Sequence, residues 1–326
     1  MRAPEFWWRN DAGARTAAFI LTPLGALYGA SVALKHRFAS PWRTRAAVVC
    51  VGNLTVGGTG KTPVVIAMAQ LLQQAELAVA CLTRGYGRRH PGAMVADLWV
   101  HDARTVGDEA LLLARTAPTV VAQNRVQGAR LARAQGARAI VMDDGHQNFS
   151  LAKDLSLILV DGKFGFGNGG ILPAGPLRES VRQGLARADA VVVMGDGDPV
   201  LTGFAGPVLR ATLAADRQFN GQRVFAFAGI GRPAKFFDLL RTLGAELAGS
   251  ESYADHHVYS RRDLKVLRRR AERASASLVT TEKDFVRLRR EDRGGIEVLG
   301  VRAVFEDKPA LLRLLHPIIA KARLCS

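Results

Sequence analysis

Cysteine is scarce in this chain of 326 residues. Cys50, Cys81 and Cys325 are too scattered for a disulfide framework or a metal-ligand set, so a reduced compartment is expected. Proline and glycine, 13 and 33 residues, are spread without a period, and no heptad persists, which excludes collagen-like and coiled-coil architectures. No internal repeat or low-complexity tract is present. Acid is in deficit, with 29 Asp plus Glu against 45 Lys plus Arg, a net charge of +16. That excess suits nucleic acid, an anionic membrane face or a phosphorylated substrate, and equally an arginine-rich composition written by a GC-rich genome. Nucleic acid is disfavoured, because there is no helix-turn-helix signal, zinc spacing or aromatic-basic interleaving. Hydrophobic residues make up 48%, which excludes disorder and supports one large or two moderate domains.

Charge is missing from one stretch altogether. Ala17 to Leu34 carries none and is flanked by Arg15 and by Lys35, His36 and Arg37. Its length is at the lower edge for a membrane span, and Pro23, Gly25 and Gly29 weaken that reading. A cleaved signal peptide is not expected, since the run starts late and ends without a small-residue cleavage site. A helix lying in one leaflet fits better, with Trp7, Trp8 and Trp42 at headgroup depth and Arg9, Arg15, Lys35 and Arg37 on lipid phosphates. A buried helix packed on the body and a true span are the alternatives.

From Ala46 the pattern turns α/β. Apolar runs of strand length occur at 46–51, 77–82, 119–122, 139–142, 155–160 and 190–194, with helical patterns between them, for example 63–72 and 125–134. Continuous apolar strands alternating with helices predict a mainly parallel sheet covered on both faces. A seam near Ala214 to Gly221 precedes strands at 224–228, 277–280 and 296–299 and helices at 233–243 and 260–274. The expected organisation is an N-terminal membrane-associating helix and lead-in over 1–45, a core domain over 46–215 and a smaller C-terminal α/β lobe over 216–326.

Thr55-Val-Gly-Gly-Thr-Gly-Lys-Thr62 follows a strand and opens a helix, the context of a phosphate-binding loop. Thr55, Val56, Gly57, Gly58, Thr59 and Gly60 would wrap backbone N–H groups around phosphate oxygens. Lys61 would reach the terminal phosphates, and Thr62 would place its hydroxyl on Mg²⁺. Asp143 and Asp144 end an apolar strand, as the acidic partner of such a loop does, although Asp-Gly is also a common turn. Asp108 and Glu109 open a helix, where acids also simply complement the dipole. His256 and His257 could orient or relay a proton or merely start a helix. Lys283 in Thr280-Thr-Glu-Lys-Asp284 could touch phosphate, or the segment could cap a helix. Arg84-Gly-Tyr-Gly87 and the Gly-rich loop Lys163 to Gly170 sit where open α/β sheets place ligand contacts. Arg268 to Arg270 fits a solvated helix face or contact with anionic lipid.

Together, TVGGTGKTP (55–63), TRGYG (83–87), Gly107-Asp-Glu109, Asp143-Asp-Gly145, GFGNGGILPAGPLR (165–178), Asp255-His256 and Thr281-Glu-Lys-Asp284 stand in an order that resembles the tetraacyldisaccharide 4′-kinases of Gram-negative bacteria. The likeness covers nearly the whole chain. It implies a P-loop NTPase-type fold and transfer of the ATP γ-phosphate to the 4′-hydroxyl of a tetraacyl glucosamine disaccharide 1-phosphate, giving the 1,4′-bisphosphate of lipid A biosynthesis. It also implies a place on the cytoplasmic face of the bacterial inner membrane, with ATP and Mg²⁺ required and no obligate protein partner. Carried over by motif, Asp108 is the general base and His256 its partner, with Glu109 and Asp143 or Asp144 as metal and water ligands. Thr55, unusual for phosphate loops in general, is normal for this family. His146 stands where a large apolar residue is expected. A P-loop switch ATPase is the rival reading; it would hydrolyse ATP slowly without a lipid acceptor.

Overall fold

The computed structural model describes residues 4–86, 88 and 92–324; Gly87 of the 83–87 motif and Cys325 lie outside them. The chain begins with a 3-10 turn, Glu5–Trp8, and the long helix α1 (Ala12–Arg37), capped by Asp11, which accepts the Ala14 N–H at 3.0 Å. Strands and helices then alternate: β1 (Ala47–Asn53), α2 (Lys61–Gln74), β2 (Val79–Thr83), β3 (Met94–Val95), α3 (Ala103–Val106), α4 (Asp108–Ala114), β4 (Thr119–Val121), α5 (Arg125–Ala134), β5 (Ala139–Asp143), β6 (Leu155–Asp161), α6 (Val181–Leu185), β7 (Ala190–Met194) and β8 (Val208–Ala215). The second lobe follows as β9 (Arg223–Ala228), α7 (Pro233–Thr242), β10 (Glu246–Ser252), α8 (Arg261–Arg273), β11 (Ser277–Thr281), α9 (Glu282–Arg287) and β12 (Ile296–Leu299), and the chain ends with β13 (Val301–Phe305) and α10 (Lys308–Arg323).

Among the described residues, nine strands form one sheet in the order β13-β8-β7-β6-β1-β5-β2-β4-β3, and four form another in the order β10-β9-β11-β12. Only β3 and β13 run antiparallel to their neighbours. Every residue of β1, β2, β5, β6 and β7 is buried, the signature of strands covered on both faces. On one side Val64, Met68 and Leu72 of α2 and Leu311, Leu315 and Ile318 of α10 pack on Val49, Val141 and Leu157. On the other side Ala129 and Ala132 of α5 pack on Val48, Leu82 and Ile140. β1 lies between β5 and β6, where the strand order reverses, so the crevice beyond its carboxyl end is the expected ligand site.

Two expectations are corrected. Residues 301–323 do not belong to the second lobe. β13 pairs with β8 in the large sheet, and the apolar stripe of α10 seals the first core. The tryptophans are not free for a membrane either. Trp7 is 6% exposed and donates its indole N–H to the Pro173 carbonyl at 3.1 Å. Trp8 packs on Phe164 and under Arg232, and Trp42 lies under Arg130. The exposed groups are on α1 itself: Phe19, Ile20, Leu24 and Leu27 stand in solvent, and only Ala14 and Gly25 of that helix are buried. A helix packed into the body is therefore excluded.

Candidate active site

The chain leaves β1 into the glycine loop and returns as α2. Gly60 has φ +79°, a left-handed turn that points successive N–H groups inward as the helix begins. Gly57 also has a positive φ, +125°, and a side chain at Gly57 or Gly58 would meet no neighbour, so the loop is open towards solvent. It is braced from behind. Asn53 donates to the Thr55 carbonyl at 2.7 Å and to Thr59 Oγ1 at 3.0 Å, while Lys61 Nζ donates to Asn53 Oδ1 at 3.1 Å. The Val56 N–H bonds the Pro176 carbonyl at 2.8 Å, which ties the loop to the 165–178 segment. Thr62 is buried on the first turn of α2. Beside the loop, at the ends of β6 and β7, a cleft of about 730 Å³ is lined by Asp161, Lys163, Met194, Asp196 and Lys235.

Asp143 ends the neighbouring strand β5 and Asp144 follows it, and the two face different surroundings. Arg178 reaches both Asp144 oxygens, at 2.9 and 2.8 Å, with Lys61 Nζ at 3.7 Å. Burial would raise the Asp144 carboxyl, but the charges of Lys61 and Arg178 bring it down to about 2. Asp143 is fully buried and its Oδ2 has no hydrogen-bond partner. Burial, then the negative charges of Glu109 and Asp144, push it up to about 7. A buried carboxylate oxygen left open among other acids, one strand from the phosphate loop, fits a divalent cation. Among the described residues no three His, Cys, Asp or Glu side chains converge as a closed cage. Mg²⁺ takes one or two carboxylates and completes its shell with phosphates and water, a demand that one open carboxylate oxygen beside a phosphate loop can meet.

His146, next to this pair, is fully buried, and burial takes its imidazole down to about 3. It is therefore neutral. Its Nε2–H donates to the Gly184 carbonyl at 3.0 Å, so Nδ1 accepts from Ser156 Oγ at 3.1 Å. With both nitrogens satisfied it fills the place of an apolar side chain.

Asp108 opens α4 and is 4% exposed. Its Oδ1 accepts the Glu109 N–H at 2.9 Å, and its Oδ2 faces His256 Nδ1 at 3.1 Å and Arg287 Nε at 2.9 Å, with Arg287 Nη2 also on Oδ2. Because a carboxylate only accepts, His256 carries its proton on Nδ1. Burial would raise the Asp108 carboxyl. The hydrogen bond from His256 and the charges of Arg287 and Lys283 hold it well below the usual carboxylate range. The same hydrogen bond raises His256. His256 sits at φ +58° and its ring lies 5.3 Å from that of Tyr86, which is largely exposed. His257 points elsewhere: it stacks on Tyr253 at 4.5 Å and bonds Asp263 at 3.3 Å. Glu109 pairs with Lys283 at 3.0 Å.

The structure thus brings Asp108 and Glu109 of the first lobe against His256, Lys283 and Arg287 of the second. Thr281 caps α9 by accepting the Asp284 N–H at 3.1 Å, so the Thr-x-x-Asp segment is a helix cap that also delivers Lys283. Arg268 and Arg270 hold second-lobe groups, the Asp292 carbonyl and Glu251. Arg178 and Arg287 are the contributors to the site that no sequence-derived role anticipates. The available signal for Arg287 was its spacing, one helical turn after Asp284.

Comparisons with known proteins converge on one family. The family model described as tetraacyldisaccharide-1-P 4′-kinase matches residues 17–320. The tetraacyldisaccharide 4′-kinase of Paramagnetospirillum magneticum is 49% identical over 319 residues, covering 96% of this chain and 97% of that protein. The tetraacyldisaccharide 4′-kinase of Rhodospirillum rubrum is 45% identical over 331 residues, covering 98% of each. Among solved structures, the "apo" form of LpxK from Aquifex aeolicus in complex with ATP matches with a TM-score of 0.76 at 25% identity, covering 93% of this chain and 99% of that one.

Proposed function

We propose a function from one premise, that this chain belongs to the tetraacyldisaccharide-1-P 4′-kinase family: it is an ATP-dependent lipid kinase that phosphorylates the 4′-hydroxyl of a tetraacyldisaccharide 1-phosphate. The observation that carries the reading for this chain is the Asp108–His256 contact, a buried carboxylate and a half-exposed imidazole brought together beside a phosphate loop.

Phosphoryl transfer asks the protein mainly for position and charge. The loop N–H groups of residues 57–60 and the ammonium of Lys61 hold the β- and γ-phosphates. The cleft at the ends of β6 and β7 takes the nucleoside end. Thr62 and Asp143, whose Oδ2 is unpartnered, would hold Mg²⁺, with Glu109 and Asp144 holding its waters. When bound, Mg²⁺ offsets the negative charge that builds on the phosphate oxygens. Arg178 and Lys61, both on Asp144, stand where they can follow the γ-phosphate as it moves. The 4′-oxygen attacks phosphorus, the bond to the β-phosphate bridging oxygen breaks, and ADP leaves. The hydroxyl proton passes to Asp108. His256 holds that carboxylate in line through its Nδ1–H. Helix α1, with Phe19, Ile20, Leu24 and Leu27 outward, lies in the cytoplasmic face of the inner membrane and presents the active site to a lipid acceptor.

The test is transfer of label from γ-³²P-ATP to the tetraacyldisaccharide 1-phosphate in detergent micelles with Mg²⁺. Labelled lipid is expected from the parent chain, and from Lys61→Ala a rate lower by about a thousandfold or more. Free phosphate released steadily by the parent without labelled lipid would sink the kinase reading in favour of a switch ATPase.

A further inference from the structure

The Arg287 guanidinium is in an unusual position for a surface-rich residue type. Its side chain is 4% exposed and it makes four hydrogen bonds to three acceptors. Nε and Nη2 donate to Asp108 Oδ2, and Nη1 donates to the Gly229 carbonyl and to Asp284 Oδ1 at 2.9 Å. Asp284, with no exposed surface, is itself held by the Gly229 N–H at 2.9 Å, the Tyr259 hydroxyl at 2.9 Å and Thr281 Oγ1 at 2.6 Å. The Gly229 carbonyl also accepts the His256 N–H at 3.1 Å. One planar fork therefore touches the Asp108 carboxylate and the backbone that sets His256. Asp108 belongs to the first lobe, and every other member of the chain of contacts belongs to the second.

We propose that Arg287 is a positioning residue for phosphoryl transfer: its guanidinium fixes the Asp108 carboxylate against His256, and it can do so only while the second lobe is docked on α4. The inference rests on the reading of Asp108 and His256 as the proton-accepting pair. A carboxylate pinned at Oδ1 by one N–H and at Oδ2 by three donors cannot rotate about its last bond, and such pre-orientation is what makes proton abstraction fast. A lysine supplies the charge but not the fork. Its single ammonium cannot meet Asp108, Asp284 and the Gly229 carbonyl at once.

The experiment uses the full chain in detergent with three variants, Arg287→Lys, Arg287→Ala and Asp108→Ala, and the lipid-labelling assay. Active sites are counted by ATP binding, so turnover is expressed per folded site. Arg287→Ala leaves two buried carboxylates without their cation and can lose its fold, so Arg287→Lys carries the decision. The expected result for Arg287→Lys is kcat lower by about a hundredfold, with the KM for ATP changed by less than about threefold. A purely structural arginine would lower the count of folded sites and leave kcat per site alone. Full turnover per site in Arg287→Lys beside an inactive Asp108→Ala overturns the role of Arg287. Full turnover in Asp108→Ala instead overturns the underlying reading of the pair, and the role of Arg287 falls with it.

Discussion

Lys61 and Arg287 each place a cation beside a carboxylate, and the two settings differ in almost every other respect. Lys61 lies on the first turn of α2, and its partners are Asn53, which ends β1, and Asp144, which follows β5 of the same sheet. Arg287 ends α9 in one lobe, and its partner Asp108 opens α4 in the other. The phosphate loop is thus complete within one lobe and braced by its own strand, although Lys235 of the second lobe lines the cleft beside it. The acceptor half exists only when the lobes meet, through Asp108 with His256 and Arg287 and through Glu109 with Lys283. A site divided in this way has its phosphate loop formed before Asp108 and His256, the proposed proton-accepting pair, are assembled.

The sharpest way to test that division is to damage one half and read the other. Asp108→Asn and His256→Ala should lower kcat by about 10²–10⁴-fold while ATP binding stays within a few-fold of the parent. Loss of ATP binding in either variant would show the halves to be one unit. Next in size is a change to neither half. Leu24→Asp with Leu27→Asp on the exposed face of α1 should weaken sedimentation with anionic vesicles by about tenfold, while turnover on micellar substrate stays near the parent value. Unchanged vesicle binding would remove α1 as the lipid contact.

The smallest effect concerns Asp143, which sits between the halves. Its folded pKa, near 7, lies above the ordinary 3.8. The folded chain then holds the extra proton between about pH 4 and pH 7, so stability without divalent cation falls as pH rises through that window. Asp143→Asn removes the fall. In EDTA its thermal midpoint should exceed that of the parent by a few °C at pH 8 and match it near pH 4. A difference that does not change with pH would remove Asp143 as the uncompensated buried charge.

The nucleotide half was legible because its determinants are local. A loop such as 55–62 carries its glycines, lysine and threonine in consecutive positions, and the buried strands on either side announce themselves by unbroken apolar runs such as 190–194. The acceptor half was legible only in pieces. Composition and spacing left Asp108, His256 and Lys283 open, and the family resemblance supplied the pairing that the fold then brought into contact. Arg287 escaped because arginine is common in this chain, and its one local mark, a place one turn after Asp284, does not show that it crosses a lobe boundary. Strands β8, β10 and β13 also escaped. They are half-exposed and lack a continuous apolar run, as in Glu246–Ser252 with its Gly249. Trp7 and Trp8 were misplaced for the opposite reason. Their composition suits an interface, but the 164–173 segment, far along the chain, covers them.

The return of β13 and α10 to the large sheet bears on how the protein is made. The chain leaves the first lobe at Asp216 and re-enters at Gly300, and the two crossing points are bonded side by side, Asp216 N–H to the Gly300 carbonyl at 3.1 Å and Gly300 N–H to Asp216 Oδ1 at 3.2 Å. The lobe carrying His256 and Arg287 is therefore spliced into its host and not appended to it. Leu311, Leu315 and Ile318 are the lid over Val49 and Leu157. During synthesis the nucleotide-binding half waits, with that side of its core covered by α2 but not yet by α10, until residues 308–323 have been made. The inserted lobe can close its own two small cores first.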